Sequence, residues 1–147
     1  MKKIFTIALV IIATQLNAQN SKDSLTNLNA TKDSLYASVQ IESYFEGGQQ
    51  AWVKFLQKNL KSNLAAKYLV IPKGQQFVKQ TVYAQFTVDK NGELSEISYS
   101  NENEVHPALG AEVIRVMKLS PKWTPAFQNG RVVKSRKRQA ITFLVNN

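Results

Sequence analysis

The chain contains no cysteine and a single histidine, His106. Disulfides, thiolate nucleophiles and the His/Cys ligand sets of zinc and similar metals are therefore outside its chemistry. Four prolines and six glycines in 147 residues are too few for a low-complexity or fibrous chain. No apolar run reaches the roughly 18–20 residues of a membrane-spanning helix. Gly47-Gly48 has neither the spacing nor the lysine of a phosphate-cradling loop. Asp89 and Glu93 straddle a turn, and Glu102 and Glu104 lie outside any calcium-loop pattern. His106 stands just before Pro107, where a helix begins, and reads as a cap residue; a general base needs an oriented partner and a nucleophile beside it. The sequence thus predicts a protein without catalytic residues, metal or cofactor.

What is present begins with the N-terminus. Lys2 and Lys3 precede an apolar stretch at residues 4–13, and Leu16-Asn17-Ala18 ends in a small residue. This is the pattern of a secretory signal at residues 1–18, with Gln19 the first mature residue and no span left after cleavage. No cysteine stands at the cut to carry a lipid anchor. A periplasmic or secreted location follows. Residues 19–34 are polar and repeat Lys-Asp-Ser-Leu at Lys22 and Lys32, which predicts a flexible leader and too little repetition for a solenoid. Residues 35–147 are long enough for one domain with one core, held by packing alone. The formal net charge is +9, and loss of Lys2 and Lys3 leaves +7. A basic domain invites a nucleic-acid reading. Export argues against one and favours an acidic protein patch or an anionic envelope surface.

Periodicity supplies the elements. Leu35, Ala37, Val39 and Ile41 alternate with polar residues and predict a short strand with one buried face. Trp52, Phe55, Leu56 and Leu60 form one stripe and predict a helix over 49–60. Residues 63–78 lack a clean period and predict a loop with a short turn of helix. Val82, Ala84, Phe86 and Val88 line one side of a strand over 81–89, which the Asp89-Lys90-Asn91-Gly92 turn joins to a partner at 93–100. Pro107 opens a helix over 107–118, with Leu109, Val113, Val116 and Met117 facing the core and Pro121 ending it. Trp52 and Trp123 are expected to be buried rather than exposed anchors. Asn129-Gly130 turns the chain into a last strand at 132–145. The order predicts an α+β fold: a small antiparallel sheet of three to four strands with two helices on one face. Lys134, Arg136, Lys137 and Arg138 put four positive charges within five residues of that last strand. Such a run suits an edge, where charge deters unwanted pairing, and it also suits an acidic partner or an anionic lipid headgroup.

Several of these short signatures occur in a fixed order. Phe45-Glu46-Gly47-Gly48 precedes the first helix and Val88 to Gly92 close the hairpin. Pro107, Leu109 and Ile114-Arg115-Val116 mark the second helix, and Pro121-Lys122-Trp123-Thr124-Pro125 and Gln128-Asn129-Gly130 follow it. In this, residues 44–145 resemble the C-terminal domain of TonB-type energy transducers, in the form common in Bacteroidetes. The Tyr-Pro-x-x-Ala element of that family is replaced by Ser62-Asn63-Leu64-Ala65-Ala66. The resemblance implies the α+β fold and a binding role in which a peptide, such as a segment of an outer-membrane receptor, adds a strand to the sheet edge. It places that contact on the last strand, at Lys134, Arg136, Lys137, Arg138, Gln139 and Ile141. The expectation is an exported, non-catalytic envelope module that pairs with another envelope protein or with a second copy. Two other readings are a true transducer for outer-membrane transport with an uncleaved N-terminal anchor, and a basic protein that binds anionic glycolipid.

Overall fold

A computed structural model describes residues 35–36 and 39–146. The signal at 1–18 and the leader at 19–34 lie outside the described residues. The elements in chain order are β1 (Leu35–Tyr36), β2 (Tyr44–Phe45), α1 (Gly48–Asn59), α2 (Asn63–Tyr68), β3 (Phe77–Val88), β4 (Leu94–Tyr99), α3 (Pro107–Lys118), β5 (Trp123–Thr124), β6 (Ala126–Gln128) and β7 (Arg131–Asn146). The fold is α+β. A five-stranded sheet has the order β1-β7-β3-β4, with β6 also paired to β7, and β2 and β5 form a separate two-stranded ladder.

The sheet is built on one long antiparallel pair. β3 and β7 are in register from Phe77 opposite Asn146 to Val88 opposite Ser135. Alternation decides which side is covered. Val82, Ala84, Phe86 and Val88 from β3 and Ile141, Phe143 and Val145 from β7 share one buried cluster with Leu109, Val113, Val116 and Met117 of α3. The opposite side carries Thr81, Tyr83 and Gln85 with Arg136, Arg138, Ala140, Thr142 and Leu144, all half-buried or exposed. Helix α3 starts at Pro107, and His106 caps it by accepting from the Ala108 N–H at 3.2 Å.

The short signatures meet in space. Phe45, from the segment before α1, pairs with Trp123 in the small ladder. Its ring lies 5.2 Å from Trp52 and 5.7 Å from Trp123, and Phe86 lies 5.0 Å from Trp123. The hairpin tip joins the same group, because the Trp123 N–H donates to the Gly92 carbonyl at 2.8 Å. Gly92 has φ of 80°, and a Cβ there would collide with the Trp123 carbonyl oxygen. Asn129 and Gly130 both have positive φ, 49° and 73°, as a two-residue hairpin turn requires.

Four expectations need correction. Among the described residues the sheet has five strands rather than three or four, and β1 joins it parallel to β7. The short turn of helix expected within 63–78 is α2, where Leu64 and Ala65 find cover, and with it the described residues hold three helices rather than two. The Leu35-to-Ile41 alternation does not make one strand with a buried face. Leu35 and Ile41 are exposed, and Ile41 instead bridges to Phe127. Finally, β3 begins at Phe77, four residues before the expected start, since β7 is long enough to pair with it there.

Candidate functional site

The site is the outer edge of β7. On one side β7 meets β6 at residues 131–133 and β3 at 135–146. On the other side β1 pairs only with Lys134 and Ser135. Among the described residues, positions 136–146 have no strand on that side. Hydrogen-bond directions identify which groups face outward. The Tyr83 carbonyl accepts from the Ser100 N–H and the Tyr83 N–H donates to Asn101 Oδ1, so Tyr83 spends both main-chain groups on the β4 side. The Thr81 carbonyl accepts from Asn101 Nδ2 on that side too. Ala140 and Thr142, their partners across the ladder, therefore turn their N–H and C=O groups away from β3. The period of two extends this to Arg136, Arg138 and Leu144.

The sequence-predicted residues divide by the same parity. Lys134, Arg136 and Arg138 project from the uncovered face. Arg136 approaches Glu96 at 3.5 Å. The Arg138 guanidinium lies 4.0 Å from the centre of the Tyr83 ring. Lys137 projects to the other face, is mostly buried, and meets Glu42 at 2.9 Å. Gln139 is half-buried on that face and Ile141 is completely buried in the core. The Ile141 side chain is therefore part of the packing and is removed from any partner surface.

Glu96 sits where the β3–β4 register slips between Gln85 and Thr87. The bulge puts it at φ of 52°, a rare angle for a residue with a side chain. Its carboxylate accepts from the Thr87 hydroxyl at 2.6 Å. That bond, with Arg136 and Lys134 nearby, holds the Glu96 carboxyl below the ordinary range. Sequence reasoning missed Glu96, Tyr83 and Thr87, whose roles depend on cross-strand register that no local pattern encodes.

A second feature is a groove of about 380 Å³ with Leu94, Ile97 and Met117 in its lining and Lys118 and Lys122 beside them. Elsewhere His106 stacks on Tyr68 at 4.4 Å and caps α3. Among the described residues, no group of three or more His, Asp or Glu stands together as a metal site, and no helix is long and apolar enough to cross a membrane. No family model matches the chain, and no curated protein or solved structure matches it either.

Proposed function

We propose that this chain is an exported, non-catalytic binding module of the cell envelope, similar to the TonB C-terminal domain, that takes an extended segment of another envelope protein onto β7. One observation carries the reading. From Gln139 to Asn146 the strand has no charge, proline, glycine or register shift, and its outer edge is unpaired among the described residues. Proteins normally guard such an edge with charge, bulges or short length. The other open edge is guarded in two of these ways: β4 has six residues and is bulged near Glu96. An unguarded edge suits strand addition, in which main-chain bonds give affinity and alternate side chains give selectivity.

The edge variant Ala140→Pro tests this. It removes one outward N–H and no bond to β3, so the fold should persist. Pull-down from envelope extract should recover a partner with the wild-type chain and lose it with the variant. Equal recovery by both would sink the strand-addition reading. Export has its own check: mass spectrometry of the envelope fraction should find a chain starting at Gln19, whereas an intact Met1 in the membrane pellet would favour an anchored transducer.

A further inference from the structure

We infer that the segment taken by β7 carries two carboxylates at alternate positions, facing Arg136 and Arg138, and uncharged residues facing Ala140, Thr142 and Leu144. This rests on the strand-addition reading and adds the chemistry of the partner.

The register has a fixed limit. β1 already fills the edge at Lys134 and Ser135, and among the described residues Arg136 is the first position beyond it without a strand neighbour. In an added strand, every second side chain shares the uncovered face with Arg136, Arg138, Ala140, Thr142 and Leu144. Residues directly across a strand pair interact, and like charges there are destabilising. Lysine or arginine opposite Arg136 and Arg138 is thus rejected, and aspartate or glutamate is favoured. The local balance agrees. Among the described residues, Lys134, Arg136 and Arg138 share this end of the face with one acid, Glu96, which pairs with Arg136 at 3.5 Å and has Lys134 nearby.

Arg138 is also prepared for the contact. It lies over the Tyr83 ring. The ring face attracts the cation without using its N–H donors, and those donors make no hydrogen bond or ion pair among the described residues. Tyr83 is thus a positioning residue that holds the cation in place and leaves its donors open. Beyond Arg138 the face has no charge on β7, so a carboxylate there has no strand neighbour to meet.

The test uses the full chain and fluorescently labelled synthetic peptides. One places Glu-x-Glu before alternating Thr and Val, and a second places it after them, which covers both strand directions. Control peptides carry Lys in place of both Glu. One of the two acidic peptides should bind. Its Lys control should bind roughly threefold to tenfold more weakly at low salt, the scale of two exposed ion pairs. High salt should erase the difference. The double variant Arg136→Glu, Arg138→Glu should reverse the preference. Tyr83→Leu should reduce discrimination between acidic and Lys peptides more than it reduces binding of the Lys peptide. Ala140→Pro, or Leu144→Pro should the first fail to fold, should abolish binding of every peptide. If a folded proline variant binds the acidic peptide normally, strand addition itself fails. If proline abolishes binding but Glu and Lys peptides bind equally well, the acidic inference alone fails. Absence of binding by both acidic peptides overturns the inference as well.

Discussion

The two tryptophans show how neighbouring buried rings differ in what they contribute. Trp123 donates from Nε1 to Ser120 Oγ at 2.9 Å, whereas Trp52 Nε1 is buried without a partner among the described residues. An unpaired buried donor costs about 1–3 kcal/mol, so removing it offsets part of the packing lost with the larger ring. Trp52→Phe should therefore change stability by less than about 1 kcal/mol, and Trp123→Phe should cost about 2–3 kcal/mol. Urea melts of the two variants give the comparison, and equal losses would show that the indole bond is unimportant. Phe86, packed against Trp123 and almost fully buried, sets the upper end: Phe86→Ala should cost about 3–5 kcal/mol. The burial of Trp52 and Phe86 was legible from periodicity, and that of Trp123 from the size of its ring. The pairing of Phe45 with Trp123 was not, because their segments lie far apart in sequence and each is only two residues long.

Between elements, one ion pair joins α1 to α3. Arg115 donates to Glu112 through Nε and Nη2, and also to the Asn59 carbonyl at the end of α1. Glu112 accepts from the Lys61 N–H just beyond that helix. Burial pushes the Glu112 carboxyl up, but the bonds from Arg115 and Lys61 outweigh it, and the net direction is down from the ordinary value of 4.5. A depressed folded pKa gives stability that is fully present above the unfolded value and lost as pH falls through the folded one. Glu112→Gln should cost about 1–3 kcal/mol at neutral pH and approach wild-type stability in acid below the carboxylate range. Urea midpoints across that range measure it; a constant difference at all pH values would remove Glu112 from the acid response. Helix α3 itself was readable to the residue, since Pro107 and the apolar stripe are local signals. The clasp was not readable, because Glu112 and Arg115 look like an ordinary surface pair until α1 covers them. The same limit applies to the candidate site: the basic run is visible in the sequence, but only the parity of the paired strand separates Lys134, Arg136 and Arg138 on one face from Lys137, Gln139 and the inward Ile141 on the other.

For the whole molecule, the open edge of β7 is a risk as well as the proposed means of binding. With no segment bound, it offers the same main-chain groups to a second copy. Leu144→Glu places a charge on the uncovered face, opposite Lys79 and without touching the core. It should leave thermal stability within about 0.5 kcal/mol and slow aggregation at high concentration. Light scattering during storage would decide, and an unchanged rate would locate self-association elsewhere. β7 also bears on timing. It follows every other element in the chain and supplies the longest ladder, with β3 waiting for it across the whole of β4 and α3. Little of the five-stranded sheet can close until residue 146 has left the ribosome, so the growing polypeptide has no stable sheet to form early. A chain that completes its fold only when synthesis has passed this point stays threadable until then, which is the state that the proposed export would require.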